Sequence, residues 1–251
     1  MNLTREQMLA EMGIKPVWRL RQSTPSEAGQ LVAEASESGS PVPAASFSAS
    51  TVSLPADDIG ALDWDALEQR MAACHACELH KTRRKVVPGV GDRAADWLFI
   101  GEGPGAEEDA QGEPFVGQAG KLLDNMLAAI GLRRGEGVYI ANTVKCRPPG
   151  NRTPESAEMA ACHPYLARQI ALIRPKIIVL LGRAAVHSVL GIDHSLAGLR
   201  GTVHTYQGIP VVVTYHPAYL LRNLPEKAKS WEDLLFARRQ LRLAPQPELP
   251  V

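Results

Sequence analysis

Four cysteines, the only four in the chain, fall as the short-spaced pair Cys74 and Cys77 and then, far downstream, Cys146 and Cys162. Four thiols so arranged read as one ligand set, so the fold has to bring the early pair against the later two. The N-terminal stretch MNLTREQMLAEMG has no apolar signal core and no cleavage pattern, which places the chain in the reducing cytosol of the cytoplasmic compartment, where disulfides do not persist. There, four thiolates converging on one point hold tetrahedral zinc or a [4Fe-4S] cluster. Zinc ribbons tend to use two short-spaced pairs; with only one such pair, the spacing points to the cluster, with zinc as the alternative.

Composition divides the 251 residues unevenly. Residues 22–58 are rich in Ser, Ala and Pro and carry no sustained apolar period, the signature of a disordered linker. Ahead of it, in residues 1–21, Thr4 to Leu20 has the pattern of a short amphipathic helix, with Met8, Leu9 and Met12 on one side. Residues 59–243 have the length and apolar content of one globular domain, and 244–251 read as a flexible tail. No apolar run approaches bilayer-spanning length, so no membrane association is expected.

With 27 basic and 27 acidic residues the net charge is zero, and bulk charge announces no polyanionic partner. Local clusters do more: Lys81, Arg83, Arg84 and Lys85 follow the first cysteine pair, Lys145, Arg147 and Arg152 surround the third cysteine, and Arg222, Lys227 and Lys229 lie near the C-terminal end. Each could track a phosphate backbone or could be an ordinary solvated face.

Within the domain, short apolar strands alternate with amphipathic helices. The pattern predicts an α/β fold, a three-layer α/β/α sandwich around a mostly parallel sheet of about four strands. Strands are expected at Asp96 to Ile100, Val138 to Val144 and Lys176 to Leu181, and a hairpin-like pair from Val203 to Tyr215 turning at Gln207-Gly208. Helices are expected at Gly117 to Ile130, from a Thr153 cap with Pro154 at the first position to Ile173, at Ala184 to Leu190, and from Pro225 to Leu241. In such folds ligands bind beyond the carboxyl ends of the strands. Three polar clusters fall there: Gly101 to Gly105 (GEGPG), Ala141-Asn142-Thr143, and His216-Pro217-Ala218. Singly they read as a tight turn or phosphate loop, a strand-end cap and a turn histidine; together they predict one pocket.

The segments GEGPGAEEDAQGEPFVGQAGKLLDNML (Gly101 to Leu127), ANTVKCRPP (Ala141 to Pro149) and YHPAYLLRN (Tyr215 to Asn223), interleaved with the four cysteines, resemble the family 4 uracil-DNA glycosylases, iron-sulfur enzymes of DNA repair. The resemblance spans Leu67 to Arg242. It implies a hydrolase that flips uracil out of single- or double-stranded DNA and breaks its N-glycosidic bond, starting base excision repair. It further implies that Cys74, Cys77, Cys146 and Cys162 ligate the [4Fe-4S] cluster. A monomer is expected, although the sequence does not fix the oligomeric state. His216 matches the histidine that hydrogen-bonds uracil O2, Asn142 the amide that pairs with N3–H and O4, and Phe115 the ring that stacks on the base. The flanking Pro114 and Gly117 place Phe115 on an exposed loop.

By the same resemblance Glu108 lies by uracil C5, where it would clash with a thymine methyl, and Glu102 positions the attacking water. Gly103 replaces the alanine usual in the family's GEAPG motif, a small departure. Tyr219, Leu220 and Leu221 match candidates for the wedge that fills the vacated stack. The covalent uracil-trapping relatives carry GEQPG and a histidine-containing insertion; here the stretch between the third and fourth cysteines reads RPPGNRTPESAEMAA, with no histidine. A non-catalytic iron-sulfur DNA-binding or damage-sensing module on the same fold is the alternative. Under either reading, the N-terminal segment is expected to be a docking element for a replication or repair protein, or a weakly packed appendage.

Overall fold

The computed structural model describes residues 59–243, so the N-terminal segment, the linker and the C-terminal tail lie outside the described residues. In chain order the elements are α1 (Trp64–Ala72), β1 (Val90–Gly91), β2 (Trp97–Gly101), α2 (Ala106–Gln111), α3 (Gln118–Ala129), β3 (Val138–Asn142), α4 (Ser156–Ile173), β4 (Ile177–Leu181), α5 (Arg183–Leu190), α6 (Leu196–Leu199), β5 (His204–Tyr206), β6 (Ile209–Thr214), α7 (Pro217–Arg222) and α8 (Glu226–Leu243).

The six strands form one sheet in the order β1-β3-β2-β4-β6-β5. The four inner strands run parallel, and the antiparallel β1 and β5 close the two edges. The expected parallel set is thus present, and the hairpin turns at Gln207 and Gly208, both in left-handed conformation; the sheet has six strands rather than about four, because the two-residue edge strand β1 is too short to leave an apolar pattern. β2, β3 and β4 are buried along their whole length, as strands covered on both faces must be. Alternate residues feed two cores. Leu98, Ile100, Ile178, Leu180, Val211 and Val213 pack against Leu166 and Ile170 of α4 and Val186 of α5. Phe99, Ile140, Val179 and Val212 pack against Leu123 and Leu127 of α3 and Leu234 of α8. These are the layers of the predicted sandwich.

Two local expectations change. The helix after the third cysteine begins at Ser156, with Glu155 as its cap: the Glu158 carboxylate accepts the Glu155 backbone N–H at 2.8 Å, a reciprocal cap that leaves Thr153 and Pro154 outside the helix. Thr153 is thereby free to hydrogen-bond the Glu102 side chain. Phe115 is 5% exposed and belongs to the α3-side core, so its loop is a buried one.

A third, smaller core joins Leu67 and Met71 of α1, Leu79, Val144, Met159 and Tyr165 around Cys146 and Cys162. It lies beside the carboxyl end of β3, which puts the cysteines next to one of the pocket loops. Among the described residues no helix is long and apolar enough to cross a membrane.

Candidate active site

The carboxyl ends of all four parallel strands open into one cavity of about 710 Å³. β2 contributes Glu102 to Gly105, β3 contributes Asn142, the turn after β4 contributes Gly182 and Arg183, and the segment after β6 contributes Tyr215 and His216. This is where the reversal of connection direction in an open α/β sheet leaves room for a ligand. The three sequence clusters converge as predicted, and Glu102, Gly103, Glu108, Phe115, Asn142 and His216 all line the cavity.

The β2 and β3 loops are zipped together past the end of the sheet. Thr143 N–H donates to the Gly101 carbonyl at 3.0 Å and Thr143 Oγ1 to the Glu102 carbonyl at 2.5 Å. Asn142 is only 2% exposed, and its Oδ1 has no hydrogen-bond partner. A buried amide oxygen without a protein partner is costly unless a ligand or water in the cavity supplies the donor. Gly101 admits this arrangement by lacking a side chain: a Cβ there would stand 2.5 Å from Phe115 Cζ and 2.6 Å from Asn142 Oδ1.

Phe115 adopts a left-handed backbone (φ 56°), unusual for an aromatic residue, and several groups hold it there. Glu108 Oε1 accepts the N–H groups of Val116 and Gly117, each at 3.0 Å, while its Oε2 accepts Gly105 N–H at 3.1 Å. One carboxylate thus binds the GEGPG turn to the Phe115 loop. From outside, Arg134 donates to the carbonyls of Pro114 (2.8 Å) and Phe115 (2.7 Å). Gly120 lets α3 approach, since a Cβ there would collide with the Phe115 carbonyl. Sequence reading placed Gly101 in the GEGPG cluster without its packing role, and missed Gly120 and Arg134.

His216 precedes Pro217 and caps α7, its Nδ1 accepting the Ala218 N–H at 3.2 Å. Accepting at Nδ1 leaves the proton on Nε2. Burial, reinforced by Arg222 and opposed by Glu108, brings the His216 pKa down to about 4, so the ring is neutral at physiological pH. Its ring lies 5.4 Å from that of Phe115. The Glu102 carboxyl is pushed above the ordinary range by burial, against the pull of its hydrogen bond to Thr153. A Cβ on Gly103 would meet Val144 Cγ2 at 2.9 Å, so an alanine there needs a small shift of that methyl.

The four cysteines line one small cavity together with Met71, Ala161 and Tyr165. Their thiols are not in disulfides. Among the described residues no three His, Cys, Asp or Glu side chains converge closely enough for a single ion. The donor set is nonetheless suited to a thiolate-ligated group. Arg83 donates to Cys146 Sγ at 3.1 Å and the Lys145 backbone N–H lies 3.3 Å from Cys162 Sγ, donors that would stabilise these sulfurs as thiolates. Burial pushes the Cys162 thiol up to about 12, while the Lys145 ammonium and its backbone N–H pull the other way.

The basic clusters are dispersed by folding. Lys145 is 2% exposed and out of reach of any phosphate, because its ammonium turns inward to the Asn142 carbonyl at 2.9 Å. Arg83 also turns inward, and Arg152 makes a two-pronged ion pair with Glu158. Lys81 and Lys229 pair with Glu78 and Glu226. Arg222, at the mouth of the cavity, is exposed and carries no ion pair among the described residues.

A pocket offering an unpaired amide oxygen, an aromatic face and a neutral imidazole donor has the groups to accept a planar, polar ring such as a nucleobase. The family model described as the uracil DNA glycosylase superfamily matches residues 88–235. The type-4 uracil-DNA glycosylase of Archaeoglobus fulgidus is 46% identical over 177 residues, 67% of this chain and 88% of the relative. That of Thermotoga maritima is 47% identical over 161 residues, 63% and 83%. A type-5 uracil-DNA glycosylase of Thermus thermophilus is 32% identical over 178 residues, 58% and 78%. The chain belongs to the uracil DNA glycosylase superfamily, in its type-4 branch.

Proposed function

We propose that this protein removes uracil from DNA by hydrolysing the bond between deoxyribose C1′ and base N1, leaving an abasic site for base excision repair. The observation that carries this reading is the partnerless, buried Oδ1 of Asn142, in a cavity that Phe115 and His216 also line. Uracil N3–H supplies the missing donor and uracil O4 accepts from the Asn142 amide. Cytosine reverses both partners, and a site built on such pairing discriminates by about four to five orders of magnitude.

As the glycosidic bond lengthens, negative charge grows on the leaving base and positive charge on the sugar. His216, neutral and protonated on Nε2, donates to uracil O2 as that charge develops; a neutral donor stabilises the anion without first protonating it. Phe115 provides the stacking face. Glu108, immobilised by three backbone N–H groups, forms a rigid wall against the C5 methyl of thymine. Water adds its oxygen to C1′, guided by Glu102, and its proton passes to solvent as the base leaves as an anion.

Cys74, Cys77, Cys146 and Cys162 would hold a [4Fe-4S] cluster, zinc being the alternative that absence of visible colour identifies. Bound there, such a cluster supplies a cross-link between the segment after α1 and the β3–α4 loop. Reduced thiols at this site accord with a cytoplasmic location.

The test is release of uracil from an oligonucleotide carrying one labelled uracil, by wild type, His216→Ala and Asn142→Ala. Uracil-dependent, alkali-labile breaks that both variants lose support the assignment. A folded, DNA-binding wild type without release overturns it in favour of the sensing module.

A further inference from the structure

The sequence places Lys145 among basic residues beside a cysteine, but the structure removes it from any DNA surface. Its side chain is 2% exposed and among the largest fully buried ones. A buried ammonium is costly unless it is hydrogen-bonded and compensated by negative charge. It has no carboxylate partner among the described residues, and its hydrogen bond goes to the main-chain carbonyl of Asn142 at 2.9 Å. It also lines the cysteine cavity. Its backbone N–H points to Cys162 Sγ at 3.3 Å, and the next residue is Cys146. Beyond that carbonyl it faces the sulfurs of Cys146 and Cys162, which offset its charge only as thiolates. One residue therefore touches both sites: its main chain belongs to the cysteine site, and its side chain reaches back to the residue whose amide faces the base.

We propose that Lys145 is a positioning residue that anchors Asn142 to the cysteine site, fixing the orientation in which the Asn142 amide meets the base. Asn142 is the last residue of β3, paired across to Gly101; the peptide that follows it is held at one end by Thr143 N–H on the Gly101 carbonyl and at the other, the Asn142 carbonyl, by Lys145. Its Oδ1 makes no hydrogen bond within the protein, so the side chain is aimed by its backbone and by packing alone. The Lys145 ammonium closes this turn over three residues and resists rotation of the Asn142 peptide. The inference rests on the proposed pairing of Asn142 with uracil, and assigns Lys145 no contact with DNA.

The experiment uses the full chain as wild type, Lys145→Met, Asn142→Ala and the double variant. Iron per chain and the visible spectrum are recorded. Binding is measured to a duplex with one 2′-fluoro-2′-deoxyuridine, which resists hydrolysis, and to the same duplex with the corresponding thymine nucleotide. Lys145→Met is expected to keep its iron and its affinity for the thymine duplex, while the uracil-over-thymine ratio falls by roughly ten- to a hundredfold, the usual scale for a misplaced recognition group. The double variant then matches Asn142→Ala. A wild-type ratio with normal iron overturns the proposal, as does an equal further fall in the Asn142→Ala background. If Lys145→Met does not fold, Lys145→Gln is held to the same outcomes, and loss of folded protein in both makes Lys145 a stability residue and overturns its positioning role. A wild type without uracil preference would instead bring down the Asn142 pairing itself, and this proposal with it.

Discussion

The ring of Phe115 lies 5.4 Å from the ring of His216 with the planes tilted by 31°, so the stacking face and the imidazole donor close on the same space. The two come from loops a hundred residues apart in the chain, and each is held by backbone rather than by the other: Phe115 through Glu108 and Arg134, His216 through Ala218.

Glu108→Gln tests the first of these holds. The amide replaces one carboxylate oxygen by a donor and sets it against a backbone N–H, leaving a partly buried group unpaired at a cost of about 1–3 kcal/mol. The expected outcome is a lower melting temperature, faster amide hydrogen exchange at Val116 and Gly117, and slower uracil release. Unchanged exchange at those two amides would contradict the bracing role.

The lowered pKa of His216 makes stability depend on pH in a stated direction. The unfolded chain takes up this proton near pH 6.5 and the folded chain only near about 4, so between those values the unfolded state binds more protons and stability falls as pH falls. Urea unfolding at pH 7.5 and pH 5 should show wild type losing about 2 kcal/mol more than His216→Asn over that interval. Uracil release should hold up below pH 6.5 as far as the His216 step is concerned.

Gly101→Ala places a methyl group against Phe115 and Asn142 at once. Single-turnover uracil release should fall by about a hundredfold or more, with affinity for uracil-free DNA unchanged. A variant with wild-type turnover would show that the pocket relaxes around the methyl.

Cys74→Ala should lower soluble yield and iron content together, because this thiol ties the segment after α1 to the core that holds Cys146 and Cys162. Quantifying iron and melting temperature on the same preparation checks it; a stable, iron-free variant with normal activity would refute the structural role.

Salt dependence separates the arginines. Arg222→Ala should weaken DNA binding and reduce the slope of log affinity against log salt by about 1, as expected for one lost phosphate contact. Arg83→Ala should leave the slope unchanged and reduce iron retention, since its guanidinium is spent on Cys146 and the Ala72 carbonyl.

Local chemistry was readable where one residue type serves one purpose. Apolar runs such as Ile177 to Leu181 specified buried parallel strands, Gln207-Gly208 marked the hairpin turn, and the order of GEGPG, Asn142 and His216 along alternating elements placed them at one end of the sheet. The cysteine spacing likewise required that Cys74 and Cys77 meet Cys146 and Cys162. What charge does was not readable, because a lysine or arginine looks the same whether it faces phosphate or turns inward. Only the tertiary structure sent Lys145 to the Asn142 carbonyl, Arg83 to a sulfur and Arg134 to the Phe115 loop, since each depends on which backbone acceptor lies within reach after the layers pack. The sequence by itself determined the parallel strands, the cysteine set and the meeting of the three polar clusters in one pocket. Packing alone decided that Phe115 is buried with a left-handed backbone, and that Asn142 ends with an oxygen for which the protein provides no donor.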